Sequence, residues 1–291
     1  METFHRALMH LSVISGKAYC QDGSPFNAAT YSRFKYGLTT PAVVYGTGLA
    51  EMISEELWSY AGNRPIYIIS APYKHVPTAS HLIAEYLRRE LAAQAIQRGL
   101  EPPVLLSFHK DKVGDSSYAR GDHAERLATT AAMQLHLDES RVPGSVMLVV
   151  DDIRITGNAE QATARYLEPL GPDSVWYLHV ATFSKLGILN HPGIEDELNQ
   201  TRPNTVMDML RYHRQGQFQL NTRALRRILE TNDSYLFGEF ILNAPTELLE
   251  IIRDGAYGSG VSYCENPAHA GNLDKICHEL NWRWANSIER V

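Results

Sequence analysis

The chain has 291 residues, 44% apolar and 21% charged, the balance of an ordinary globular protein. A formal net charge of −6 argues against broad electrostatic binding to nucleic acid or an anionic membrane, while leaving room for a local basic pocket. No apolar run approaches the roughly 20 residues that span a bilayer, the first residues lack a signal-peptide pattern, and three cysteines make no disulfide framework. A cytoplasmic location is the expectation.

Residues 4–16 carry apolar side chains at helical spacing with Gly16 as a stop, which predicts a helix. Residues 17–40, rich in Gly, Pro, Asn, Ser and Tyr, predict a surface loop. Within it, Tyr31-Ser32-Arg33-Phe34-Lys35-Tyr36-Gly37 sets two cations among aromatics. That is either a solvated loop with snorkelling side chains or a lid carrying Arg33 or Lys35 to an anionic ligand. An amphipathic helix is expected over 47–60.

From Pro65 a regular alternation begins. It predicts a strand over 65–70, a helix from Ala79 to Arg98 capped by Thr78 and ended by Gly99, and a strand over 104–108. A polar loop over 109–121, a helix from Asp122 to Leu137 and a strand over 146–150 come next. A helix over 158–167 and a strand over 174–181 complete the series. Such an order implies an α/β fold, a parallel sheet flanked by helices. Beyond Phe183 the alternation fades. Helices are expected over 195–214 and 221–230, strand or helix over 235–242, a helix from Pro245 to Arg253, and a mixed tail carrying Trp282 and Trp284. The expected organisation is N-terminal helices and a hood over 1–60, an α/β core over 61–190 and a helical C-terminal extension over 191–291.

The chemistry concentrates after the strand at 146–150. Asp151 and Asp152 follow its apolar residues, and Thr156-Gly157 and a new helical pattern come four residues later. An Asp pair there can simply cap a helix or close a turn. A buried strand, a tight loop and a helix start together point instead to a sugar phosphate. The carboxylates suit ribose hydroxyls and a metal, and the loop amides suit a phosphate.

Val149-Val150-Asp151-Asp152-x-x-x-Thr156-Gly157 resembles the signature of type I phosphoribosyltransferases. The resemblance implies 5-phosphoribosyl-1-diphosphate as donor, with Asp151 and Asp152 on the ribose hydroxyls, partly through Mg²⁺. It places Ile155, Thr156, Gly157, Asn158 and Ala159 around the 5′-phosphate. Ala71, Pro72, Tyr73, Lys74 and His75 would form the diphosphate loop, Lys110 and Lys112 a catalytic loop, and Arg33, Lys35 and Arg120 further cations. A narrower likeness rests on Ser32–Gly37, residues 71–79 and Tyr118-Ala119. These are similar to a competence-protein-like branch found in tellurite-resistance and stress gene clusters. The chain departs from the purine enzymes at Ile155, which cannot act as a base, and at Ala159, which lacks a hydroxyl.

The expected activity is therefore Mg²⁺-dependent transfer of phosphoribose to a small acceptor, with release of diphosphate. The acceptor is left open among nucleobase-like heterocycles, a nucleoside hydroxyl and a small aromatic acid. A homodimer is expected, with neither nucleic acid nor membrane as partner. The rival is a non-catalytic sensor of phosphoribosyl diphosphate or nucleotides on the same fold. A response-regulator receiver domain also has an acidic pair after a strand, but on its first strand. Cys264, His269, Cys277 and His278 lack the paired spacing of a zinc finger and read as independent side chains.

Overall fold

The computed structural model describes residues 1–111, 134–184, 191, 193–200 and 205–288. Its main sheet is built from β1 (Glu2–Ile14), β2 (Lys17–Cys20), β3 (Ile66–Ser70), β4 (Val104–Leu105), β7 (Val146–Arg154) and β8 (Ser174–Phe183). The strands lie in the order β2-β1-β8-β7-β3-β4, and only the β1–β2 pair is antiparallel. A separate two-stranded ribbon joins β5 (His109–Lys110) to β6 (Leu135–His136).

Apolar runs in β3, β7 and β8 follow from burial on both faces, which leaves no position for a polar alternation. On one face lie α2 (Thr40–Ala61) and α3 (Ala79–Arg98), whose Leu49, Ile53, Ile83 and Leu87 pack on Ile68, Leu148 and Leu178. The two helices touch at Gly46, where a Cβ would stand 2.6 Å from that of Tyr86. The other face buries Ile69, Met147, Val149 and Val175 against Phe108 and against Leu167 of α4 (Asn158–Leu167). A further short helix, α1 (Ala28–Lys35), is capped by Asn27 and joins the first cluster through Tyr31 and Phe34.

The C-terminal third is helical: α5 (Ile194–Gln200), α6 (Val206–Arg214), α7 (Thr222–Leu229), α8 (Ser234–Asn243), α9 (Thr246–Gly258), α10 (Val261–Cys264) and α11 (Pro267–Ile288). From α6 onward these helices surround their own core of Leu225, Ile228, Phe237, Phe240, Leu249, Ile252 and Ile276.

Several expectations are corrected. Where a helix was expected over 4–16 the chain forms strand to Ile14 and then a turn, because β1 lies in register with β8 from Glu2↔Ser174 to Leu11↔Phe183 and covers the edge that β8 would otherwise expose. Phe4 stacks on Trp176 at 4.3 Å between ring centroids, a contact that no local window contains. Within the expected loop over 17–40 stand β2 and α1. The strand expected to end at Val150 continues to Arg154, because β8 goes on pairing with it. The strand expected over 104–108 is ladder-paired only at Val104 and Leu105. Leu135 and His136 are strand, not the end of a helix. Residues 122–133 of that helix, and Lys112, Tyr118, Ala119 and Arg120 of the loop expected before it, lie outside the described residues. Residues 235–242 resolve as helix, since Phe237, Phe240 and Ile241 are buried together at helical spacing. The tail is the 22-residue α11. No described helix is long and apolar enough to cross a membrane.

Candidate active site

The strand order reverses direction between β3 and β7, which makes the crevice at their carboxyl ends the natural ligand site of such a sheet. The ladder between them stops at Ser70↔Val150. On this side Asp151 and Asp152 therefore meet the crevice, although β8 still holds the other side of β7 through Asp151↔His179. Loop 71–77 leaves β3 at the same level. Both groups that the sequence assigned to one ligand thus emerge side by side.

Asp152 is buried and held from the N-terminal part of the chain. Lys35 makes a close ion pair with its Oδ2, and the Tyr31 hydroxyl donates to its Oδ1 at 3.2 Å. Burial alone would push this carboxyl up. The Lys35 ammonium and the Ile153 N–H override that and hold it below the usual carboxylate range. Asp151 is pushed up to about 7, by burial first and by the adjacent Asp152 charge second. The two neighbouring carboxylates thus shift in opposite directions, because Lys35 bonds directly to Asp152 and acts on Asp151 only as a weaker, third influence. Burial and then Asp152 hold the Tyr31 phenol well above its ordinary value, so it stays a donor.

Beyond the strand, Thr156 is exposed, its Oγ1 accepts from the Asn158 N–H at 3.5 Å, and Gly157 caps α4 with a left-handed φ of 78°. The first turn of α4 thus opens at a positive dipole end with no side-chain cap on Gly157, the kind of terminus a phosphate binds. Arg154 lies against this turn. A Cβ on Gly157 would stand 3.2 Å from its guanidinium, whose Nε donates to Glu160 at 2.9 Å. Ile155 packs against the core and Ala159 is exposed.

In loop 71–77, Tyr73 is buried edge-on between the His81 and His109 rings, at 5.2 Å and 5.1 Å. Its backbone bonds to Phe108 O and Lys110 N tie this loop to β5. The next two side chains reach the helical third. The Lys74 ammonium sits 2.5 Å from where a Gly260 Cβ would be, and the His75 ring rests against Gly258. Lys110 is half-buried, and burial, then Arg226, press its ammonium below the ordinary lysine range.

The geometry matches a sequence-level finding. The model of the family described as PRTase ComF-like covers residues 9–276. The chain belongs to that ComF-like phosphoribosyltransferase family. It is an enzyme of the type I phosphoribosyltransferase superfamily, and phosphoribosyl transfer is its class of reaction. Among solved structures, it resembles a hypoxanthine-guanine phosphoribosyltransferase from L. donovani with 16% identity and a TM-score of 0.34 over 50% of this chain and 70% of that one. A hypoxanthine phosphoribosyltransferase from Staphylococcus aureus gives 11% identity and 0.33 over 49% and 76%. One from Trypanosoma cruzi gives 15% and 0.35 over 50% and 75%. No curated protein matches the sequence.

Of the residues singled out in the sequence, Lys35 pairs with Asp152, loop 71–75 leaves β3 where its ladder with β7 ends, and Tyr73 of that loop bonds to the Lys110 N–H. Arg33, on the same helix as Lys35, has its Nε buried with no hydrogen-bond partner among the described residues. Lys112 and Arg120 lie outside the described residues. Tyr31 was not singled out, although its side chain was visible inside a quoted motif. Arg223, whose charge reaches both Tyr31 and Asp152, was missed as well. It sits on α7, some 70 residues after the motif, and no local pattern links the two. Cys264, His269, Cys277 and His278 bond separately, to Ala256 O, Tyr263 O, the Tyr257 hydroxyl and Asp274 O.

Proposed function

We propose that this phosphoribosyltransferase uses 5-phosphoribosyl-1-diphosphate and transfers its phosphoribose to a nucleobase-like or other small acceptor, releasing diphosphate. The observation that carries the reading is the juxtaposition of the Asp151–Asp152 pair, the Gly157 turn opening α4 and the Lys74 loop at one crevice. That spacing of charge suits a ligand with ribose in the middle and phosphate at either end. In this division of labour, residues 61–190 hold the donor, α1 hoods it, and the helices over 191–291 close the far side.

Asp151 and Asp152 accept from the ribose 2′- and 3′-hydroxyls, and the amides around Thr156, Gly157, Asn158 and Ala159, beside Ile155, hold the 5′-phosphate. Ala71, Pro72, Tyr73, Lys74 and His75 line the diphosphate side. As the C1–O bond breaks, its electron pair passes to the departing diphosphate and positive charge grows at C1. Lys74 and Lys110 offset the new negative charge, a role the sequence also suggests for Lys112, which lies outside the described residues. Removing one such donor typically costs ~10²–10³ in rate.

Among the described residues no group of three or more His, Cys, Asp or Glu could hold a metal. The site instead offers two carboxylates, which is what Mg²⁺ uses when it arrives with substrate phosphates and keeps its water. Bound there through Asp151 and Asp152, it would supply further neutralisation of the diphosphate.

The test is calorimetric titration with phosphoribosyl diphosphate and Mg²⁺ for the native chain and for Asp151→Asn/Asp152→Asn. We expect the double variant to lose binding; unchanged affinity would sink the site assignment. Diphosphate release from a panel of acceptors then identifies the acceptor. Tight donor binding with no release across a broad panel would favour the sensor role.

A further inference from the structure

Ser70 closes β3 and is 1% exposed, so its hydroxyl must find a partner inside the protein. Its Oγ lies 3.1 Å from His81 Nδ1, in the first turn of α3, and 3.4 Å from Ala71 O. The Thr78 hydroxyl donates to the same Ala71 carbonyl at 3.4 Å and lies 3.0 Å from Ser80 Oγ. Both ends of loop 71–77 thus converge on one peptide oxygen. His81 meets the loop a second time, because its ring stands edge-on to Tyr73, whose other neighbour is His109 of β5. One imidazole therefore touches both the root and the middle of the loop that goes on to Lys74 and His75.

The Ser70 hydroxyl has one proton and two acceptors within reach, and the state of His81 decides between them. A neutral His81 with its proton on Nε2 accepts at Nδ1 from Ser70, and the Nε2–H points toward Glu85 Oε1 at 3.7 Å. Once Nδ1 also carries a proton it donates to Ser70 Oγ, and the Ser70 proton turns to Ala71 O. This second arrangement gives the first carbonyl of the loop two hydroxyl donors and sets a positive charge beside Tyr73. Among the described residues, the groups that face His81 are Ser70 on β3, Tyr73 in the loop, Glu85 on its own helix and His109 on β5. Burial holds the imidazole below the ordinary histidine value against the pull of Glu85, with His109 adding to the depression. The ligand-free loop at pH 7 is therefore in the first arrangement.

We propose that Ser70 and His81 are positioning residues of the diphosphate loop. A proton enters at His81 Nδ1 when a diphosphate settles against loop 71–75, and the Ser70 hydroxyl then turns onto Ala71 O. This rests on the reading of that loop as the diphosphate side of the donor site. An anion at the loop favours the imidazolium, and by linkage the imidazolium favours the anion to the same degree. The proton comes from solvent and returns there when diphosphate leaves, and His81 touches no reacting atom.

The full chain is titrated calorimetrically with inorganic diphosphate and with ribose 5-phosphate from about pH 8 to about pH 5.5, comparing the native protein with His81→Asn and Ser70→Ala. Asparagine keeps a polar group near the Nδ1 position but cannot titrate, and the protonation of diphosphate itself is common to all three proteins. As pH falls, native diphosphate affinity should gain about 5-fold or more over His81→Asn, and the native protein should take up more protons on binding. Ser70→Ala, a small change that keeps the fold should His81→Asn fail to fold, should lose a large part of the same gain. Ribose 5-phosphate should bind the folded proteins alike. A gain as large in His81→Asn or in Ser70→Ala as in the native chain would overturn the proposal. Equal weakening of both ligands at every pH would assign the pair a packing role and overturn it too. Native-like diphosphate binding in both variants, while Asp151→Asn/Asp152→Asn loses phosphoribosyl diphosphate, would remove the positioning role and leave the donor site standing. A native chain that binds diphosphate at no pH would remove both.

Discussion

Replacing Lys35 by Met keeps an unbranched side chain on α1 but takes away the ammonium that neutralises Asp152. The two side chains are 15% and 11% exposed, so solvent cannot substitute for the lost partner. An uncompensated buried charge costs ~3–5 kcal/mol. The carboxyl can escape part of that by taking a proton. From an ordinary value of 3.8, protonation at pH 7 costs about 1.4 kcal/mol per unit over about three units, or about 4 kcal/mol, which caps the loss. Tyr31 and Arg223 still face Asp152, so the expected destabilisation at pH 7 is ~2–4 kcal/mol. In the variant the folded carboxyl titrates above its unfolded value, and the native state binds more protons between the two. Its stability therefore falls as pH rises through that window, and at pH 5 the loss shrinks to about 1–2 kcal/mol. Urea midpoints at constant slope, measured at both pH values, give these numbers directly. Adding Asp152→Asn should restore a large part of the stability, because no charge is then stranded. A loss below ~0.5 kcal/mol at pH 7, or one that does not change with pH, would refute the reasoning.

Three further outcomes are expected. His179 is held down to about 4, by burial first and by Arg154 second, so the unfolded state binds its proton more readily. Native stability should fall as pH drops from 6.5 toward 4, by up to about 3 kcal/mol, and His179→Gln should flatten that limb in urea midpoints. Gly157→Ala forces a side chain to φ 78° beside Arg154, which should cost about 1–2 kcal/mol in thermal unfolding and weaken ribose 5-phosphate binding in calorimetry. Gly46→Ala puts a methyl 2.6 Å from the Tyr86 Cβ and 2.8 Å from the Leu87 amide, so α2 and α3 must part; a loss of ~1–3 kcal/mol or more is expected in urea denaturation.

What was legible in the sequence is what local periodicity and short-range chemistry control. The helix Ala79–Arg98 was readable to the residue, because Thr78 precedes it and Gly99, at a left-handed φ of 67°, ends it. The helix Asn158–Leu167 was equally plain after Gly157, and the β3, β7 and β8 runs announced themselves because two-sided burial admits only apolar residues. The Asp-Asp…Thr-Gly pattern was readable as a candidate site because its parts lie within nine residues of one another.

The remainder depended on partners far away in the chain. Residues 2–14 carry a spacing that reads as helix, and they become strand because β8, about 170 residues on, offers an open edge whose pairing outweighs a weak local preference. Lys35 and Tyr31 reach Asp152 across more than 100 residues, which replaces the expected solvated loop with a packed helix and holds the Asp152 carboxyl down. Arg223 is part of an ordinary helix face when read along α7. It acts on Asp152 and Tyr31 only because the fold packs α7 against loop 71–77 and the hood, since charge acts through space and sequence distance does not enter Coulomb's law.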